Sequence, residues 1–274
     1  MAVDIIILTK DKTDYLFKCL DSIRNNTSTE HHIYIGDTGS NEVSISKIIK
    51  YCKDNFPERN VSLIRYNYYS FAKNNNHIVN NHTTNDVVLF CNNDIEFTDP
   101  CIDEMYKVVT DSDKIGSVGC KLLFPNGTVQ HAGQVAWTED KQSGEWSKYF
   151  DKDKLEVSHR GIGQQDSTNL FSSRDSVMGN TGAMMMISKP AFIDVGGFPE
   201  EYMECFEDVE LNMRLKLAGY DNTYIGYVKA IHHESTTRGK NRTAIMKLES
   251  DYLNNLFPYW NSLSQDEQSK LRTQ

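Results

Sequence analysis

Four short apolar runs between Val3 and Cys91, each parted from the next by a segment of helical spacing, narrow what this chain can fold into. The runs cover 3–8, 33–35, 61–64 and 87–91, and the spacers place apolar residues at helical intervals over 15–23, 43–52 and 72–81. Strands alternating with helices predict an α/β chain whose central, mainly parallel sheet is covered on both faces. Gly36-Asp37-Thr38-Gly39-Ser40, after the second run, reads as a turn-rich loop.

The rhythm breaks after about Gly116. Residues 118–124, the Pro125-Asn126-Gly127 turn and residues 129–135 read as a hairpin or paired strands. Residues 137–175 are polar and lack a clear period, which predicts a functional lid or mobile segment. Order resumes at Val177 and runs through Gly179 and Gly182 into Met184-Met185-Met186-Ile187. A helix from Asp208 to Ala218 ends at Gly219, a suitable C-terminal cap. No repeat or low-complexity linker interrupts the chain, so a single domain is expected over 1–242, in halves meeting at 116/117. A helical extension over 243–274 follows it.

Composition removes several classes. With 24% charged and 39% apolar residues, the 274-residue chain is an ordinary globular sequence. A net charge of −9 disfavours nucleic acid and anionic membranes as partners, while a local basic pocket could still hold one phosphorylated ligand. No apolar stretch approaches a membrane span, and the N-terminus is strand-like, not signal-like. The six cysteines are scattered without zinc-type pairs, mostly inside apolar segments, which favours a reducing, cytoplasmic setting. The Asn-x-Ser/Thr sequons are then by-products of an Asn-rich composition.

Chemistry concentrates where the runs end. Val87-Val88-Leu89-Phe90-Cys91-Asn92-Asn93-Asp94 puts a carboxylate at the carboxyl end of a buried strand, where open α/β sheets bind ligands. Its hard oxygens suit Mg²⁺ or Mn²⁺ completed by phosphate oxygens, although a helix-capping Asp would look the same. Asp37 could accept from a nucleobase imide or a ribose hydroxyl, or simply form its turn. Lys73 could pair with a phosphate, or be a solvated helix lysine. Glu207-Asp208 opens a helix, where acids suit the macrodipole, yet one carboxylate of the two could serve as a general base. His232-His233 ends the apolar run 228–231 and could supply a nitrogen ligand. Arg238-Gly239-Lys240 could close over a diphosphate.

Taken together and in this order, the motifs resemble an inverting glycosyltransferase of family 2 with the GT-A fold, from Val3 to about Gly239. Residues 5–10 resemble the first strand and its base-contacting end, although Lys10-Asp11 replaces the more usual Tyr-Asn. Asp37 matches the Asp of the family's Asp-x-Gly-Ser turn. Phe71-Ala72-Lys73-Asn74-Asn75-Asn76 resembles a Phe-Ser-Lys-x-Asn-Asn helix start. Asn92-Asn93-Asp94 is similar to the family's variant of the Asp-x-Asp metal motif. Gly119-Cys120-Lys121-Leu122-Leu123 with Gln130-His131-Ala132-Gly133 resembles a hairpin of rhamnosyltransferase-like members. Gly196-Gly197-Phe198-Pro199-Glu200 resembles Gly-Gly-Phe-Asp-Glu, with Pro199 in place of Asp.

The resemblance implies donor contacts at Thr9, Lys10, Asp11, Asp37, Lys73, Asn76, Asn92, Asn93 and Arg238. Asn92 would be a ribose contact or a neighbour of the metal ligands. The implied ligands for Mn²⁺ or Mg²⁺ are Asp94 and His232, with His233 as the fallback. Asp208 would be the catalytic base, with Glu207 beside it, and Gly182, Glu207 and His131 would face the acceptor. The implied reaction moves a sugar from a dTDP-, UDP- or GDP-linked donor to a hydroxyl of a glycan or glycoconjugate, inverting the anomeric carbon. A nucleotidyltransferase is the first alternative, but Thr9-Lys10-Asp11-Lys12-Thr13 lacks the Gly-rich phosphate loop it would need. A non-catalytic nucleotide-sugar-binding module is the second, and joint retention of Asp94, Asp208 and His232 argues against it.

Overall fold

The computed structural model describes residues 2–56, 60–137, 155–166, 170–233 and 242–272. In the first half, β1 (Ala2–Thr9), α1 (Thr13–Asn26), β2 (Glu30–Asp37), α2 (Glu42–Asn55), β3 (Val61–Arg65), α3 (Phe71–Asn81) and β4 (Val87–Asn92) alternate as expected. The four strands are parallel neighbours in the order β3-β2-β1-β4. Burial of β1 on both faces follows from a helical layer on each side. Ile5 and Ile7 pack with Leu16, Leu20 and Ile23 of α1, whereas Ile6 packs with Ile78 and Val79 of α3.

The second half runs β5 (Ile95–Phe97), α4 (Cys101–Val109), β6 (Ile115–Leu123), β7 (Val129–His131), β8 (Gln134–Trp137), β9 (Glu156–His159) and β10 (Arg174–Ser176). It continues through β11 (Met184–Ser188), α5 (Lys189–Asp194), α6 (Glu207–Leu217) and β12 (Asp221–His232). Among the described residues the main sheet has the order β10-β12-β6-β11-β4-β1-β2-β3, with β5 on β12 and β7 on β6. β11 runs antiparallel to β4 and β6, and β12 runs parallel to β6. The carboxyl ends of β1, β2, β4, β6 and β12 therefore share one sheet edge with the amino end of β11.

Two expectations are corrected. The anticipated hairpin divides: β7 pairs with β6, but at Gly133 (φ +98°) the chain turns off and β8 pairs with β9 instead. A side chain at Gly133 would lie 2.6 Å from Val177 Cγ1, so glycine is required there on two counts. Of the 137–175 span expected to be a lid or mobile segment, 155–166 and 170–175 are built into the fold, with Leu155 buried and β10 pairing with β12. Such short, polar edge strands are held by backbone pairing, so apolar periodicity does not reveal them. Residues 138–154 and 167–169 lie outside the described residues.

The tail is not a separate appendage. It comprises α7 (Arg242–Asp251), a π-helical turn (Tyr252–Leu256), α8 (Phe257–Ser262) and α9 (Gln265–Leu271). Tyr252, Leu256, Trp260 and Leu271 are buried against Tyr202 and against Val209 and Met213 of α6. Among the described residues no helix is long and apolar enough to cross a membrane.

Candidate active site

The shared sheet edge gathers most of the predicted residues. Register pairs Thr9 with Asp37 and Leu8 with Asn92, so three neighbouring parallel strands end side by side. Their loops are tied together: the Asp11 N–H donates to Ser40 Oγ (2.8 Å), and Asp11 Oδ1 accepts from the Asn41 N–H (2.9 Å). Asn93 Nδ2 donates to Thr9 Oγ1 (2.9 Å). Asn93 and Thr9 thus hold each other, and Lys10 and Asp11 remain exposed. Asp37 is fully buried and accepts the Ser40 N–H at 3.1 Å, with Arg65 Nε 4.0 Å from its carboxylate. The Ser40 N–H reaches both carboxylate oxygens, at 3.1 and 3.3 Å, so the turn engages each of them.

Asp94 and His232 meet because β5 pairs with β12. Asp94 sits in the tight turn between β4 and β5, and β5 places Ile95 opposite His232. His232 Nε2 lies 3.2 Å from Asp94 Oδ1 and 3.4 Å from Asn92 Nδ2, while its Nδ1 is 2.7 Å from Gln130 Oε1. Burial pushes the Asp94 carboxyl up. The hydrogen bond and charge of His232, a backbone hydrogen bond and the charge of His233 jointly outweigh it and hold the group below the ordinary carboxylate range. His233 turns elsewhere: its Nε2 lies 2.8 Å from Glu96 Oε2, which also pairs with Lys18, and its ring packs on Tyr15.

This pair suits a divalent cation. When the His232 ring is neutral with its proton on Nδ1 toward Gln130, Nε2 presents a lone pair toward the carboxylate oxygen, and a cation between these two acceptors takes the place of the Nε2–H that otherwise bonds Asp94. Adjacent ligands around a small octahedral ion stand about 3 Å apart, close to the observed separation. Among the described residues no group of three His, Cys, Asp or Glu forms a metal cluster. One carboxylate and one imidazole could hold a divalent cation only if other oxygens complete its shell.

Asp208 opens α6 beside the amino end of β11. Its Oδ2 accepts from the Gly182 N–H at 2.8 Å and from Gln134 Nε2 at 3.2 Å, and its Oδ1 accepts from the Val209 N–H at 2.8 Å. The Asn92 N–H donates to the Ala183 carbonyl at 2.8 Å, so the same short segment touches both the β4 end and Asp208. A side chain at Gly182 would lie 3.0 Å from Phe71 Cζ and 3.3 Å from Asp208 Cβ, so Phe71 closes on this corner. Glu207 is buried, and Lys73 is exposed on the first turn of α3.

Two predicted contacts are corrected. His131 is fully buried against His159 and Tyr224, which removes it from an acceptor wall. Asn76 is committed to the 198–200 turn, donating to the Phe198 carbonyl (2.8 Å) and Glu200 (3.0 Å) and accepting the Phe198 N–H (3.0 Å), so it is not a donor contact. Arg238 lies outside the described residues. Sequence reasoning missed Gln130 and Gln134, whose signal was two amide side chains within the apolar stretch 129–135.

The comparisons converge on this architecture. The family model described as glycosyl transferase family 2 matches residues 4–196. The chain belongs to glycosyl transferase family 2. Among its relatives in the family, the O-antigen biosynthesis protein RfbC of Myxococcus xanthus is 30% identical over 238 residues, covering 86% of this chain and 18% of that protein. An N-acetylglucosaminyl-diphospho-decaprenol L-rhamnosyltransferase of Mycobacterium tuberculosis is 23% identical over 170 residues, 57% of this chain and 49% of its own. The chain thus spans less than half of either relative. Two solved structures share the fold. The mannosyltransferase PcManGT of Pyrobaculum calidifontis, in complex with GDP-Man and Mn²⁺, has a TM-score of 0.59 at 12% identity, over 98% of this chain and 72% of that one. GalNAc-T7 with UDP, GalNAc and Mn²⁺ has a TM-score of 0.66 at 11% identity, over 98% and 53%.

Proposed function

We propose that this chain is a metal-dependent, inverting glycosyltransferase that moves a sugar from a nucleotide-diphosphate donor to a hydroxyl of a glycan or glycoconjugate. The observation that carries the reading is the meeting of Asp94 and His232 on the sheet edge that also holds Asp208, within a family 2 chain. Asp94 and His232 would hold Mn²⁺ or Mg²⁺, which when bound supplies positive charge to the departing diphosphate. Asp37 and the loop from Thr9 to Asp11 would receive the base and ribose, with Lys73 and Arg238 as further cations for the phosphates. Asp208 would take the proton of the acceptor hydroxyl as its oxygen attacks the anomeric carbon opposite the leaving group, and Glu207 would orient that acceptor.

The relative named a rhamnosyltransferase favours dTDP-rhamnose as the first donor to assay, with UDP-sugars next. Donor turnover with Mn²⁺ and with chelator tests the metal, and undiminished transfer in chelator would overturn it. Asp208→Asn keeps the shape but removes the proton acceptor, and is expected to lower kcat on the order of 10² to 10⁴ with donor KM little changed. Product stereochemistry is the independent check: an α-linked donor must give a β-linked product, and a β-linked donor an α-linked one. Retention at the anomeric carbon would refute the mechanism.

A further inference from the structure

The segment that leaves the main sheet at Gly133 carries two glutamines, Gln130 in β7 and Gln134 in β8, both almost fully buried. Each touches a different working residue. Gln130 Oε1 lies 2.7 Å from His232 Nδ1, and Gln134 Nε2 lies 3.2 Å from Asp208 Oδ2. We propose that Gln130 and Gln134 are the positioning residues of this site, one setting the tautomer of the metal histidine and the other aiming the base. This inference rests on the functional reading above.

For Gln130 the chemistry is that of a carbonyl oxygen against a ring nitrogen. An acceptor at Nδ1 retains the proton there and leaves the Nε2 lone pair facing Asp94 Oδ1. The opposite tautomer would place N–H at Nε2 and remove it as a ligand. Gln134 is oriented from behind. Its Oε1 lies 3.4 Å from Asn212 Nδ2, whose two short bonds run to the Asn180 carbonyl (2.8 Å) and to the backbone carbonyl of Asp208 itself (2.6 Å). The Asn212 carbonyl oxygen in turn accepts from Ser117 Oγ, and its backbone carbonyl accepts from Asn222 Nδ2. With Oε1 on the side of the Asn212 amide nitrogen, the Gln134 N–H points to the carboxylate. Reversing it would set an oxygen against Asp208. Gly179 permits the close approach, since a side chain there would lie 2.6 Å from Gln134 Oε1 and 2.4 Å from Asn212 Cβ. The backbone adds a clamp, because the Gln134 N–H donates to the Gly179 carbonyl at 2.7 Å.

The two roles separate experimentally. Mn²⁺ is titrated into the full chain with dTDP as the probe nucleotide, followed by Mn²⁺ resonance or calorimetry, and kcat and donor KM are measured on the same proteins. Gln130→Leu is expected to weaken Mn²⁺ about 10- to 100-fold, while Gln130→Glu, still an acceptor for Nδ1–H, binds at least as tightly as wild type. Gln134→Leu is expected to leave Mn²⁺ affinity and donor KM unchanged and to lower kcat about 10- to 100-fold through a misplaced base. Thermal unfolding of each variant identifies loss of the fold. If Gln130→Glu loses Mn²⁺ as Gln130→Leu does, or if Gln134→Leu weakens Mn²⁺ as much as it slows turnover, the assignment is overturned. Wild type that binds Mn²⁺ and transfers sugar, with both leucine variants unaffected, overturns the inference while leaving the functional reading standing. Wild type that neither binds Mn²⁺ nor turns over donor overturns both.

Discussion

At the scale of single residues, neighbouring histidines of the same type differ because their partners differ. His232 faces Asp94 across 3.2 Å, while His233 spends its ring nitrogen on Glu96 at 2.8 Å. His232→Ala is therefore expected to abolish Mn²⁺-dependent nucleotide binding. His233→Ala should leave that binding intact and cost less than about 1 kcal/mol, as part-exposed pairs usually do. Calorimetry on both variants decides, and the reverse pattern would transfer the metal role to His233. His131 illustrates a buried residue with a different consequence. Burial, with the charge of His159 next in weight, holds its imidazole well below the ordinary value of 6.5, so the folded chain keeps it neutral. The unfolded chain takes up that proton as pH falls through about 6.5, and folding stability should fall with it. His131→Gln is expected to lose up to about 1.4 kcal/mol less than wild type per pH unit below that point, read from urea midpoints at several pH values. Parallel pH dependence in the two proteins would contradict this.

At the scale of elements, α6 begins on an unusual approach. Phe206, at its N-cap, has a left-handed backbone (φ +73°) and makes no side-chain cap, so the loop before it must be held from outside. Asp251, the fully buried last residue of α7, does this: its carboxylate accepts the N–H groups of Met203 (2.8 Å), Glu204 (2.8 Å) and Cys205 (3.0 Å). Asp251→Ala would remove the shared acceptor of three part-exposed backbone N–H groups, at roughly 1 to 3 kcal/mol. It should also lower kcat, because Asp208 lies on the first turn that this loop aims. A variant with wild-type unfolding midpoint and turnover would show that the loop holds itself.

At the scale of the whole molecule, the C-terminal helices complete the core beneath the site. Tyr252, Leu256, Trp260 and Leu271 are each at most 3% exposed. Burying four such side chains is worth roughly 6 to 12 kcal/mol, comparable with the entire stability of a typical domain. Truncation after residue 242 is expected to yield a chain that aggregates or unfolds without cooperativity, with Tyr202, Val209 and Met213 uncovered. A soluble truncation retaining a sharp thermal transition would count against this.

Much of this architecture was legible in the order of residues, since apolar runs of strand length and spacers of helical period are local properties. β1 to β4, α1 to α3 and the carboxylates at strand ends follow from them, because a parallel sheet under two helical layers needs continuously apolar strands and collects ligands where they stop. The motif order likewise points to family 2. What local pattern could not convey was who meets whom. Gln130 and Gln134 read as ordinary strand residues until β12 and α6 arrive beside them, and His131, one residue from Gln130, is sealed inside. Asp94 and His232 become neighbours only through the short β5–β12 pairing. Such meetings depend on backbone pairing and on side chains far apart in the chain, and neither leaves a period in the sequence.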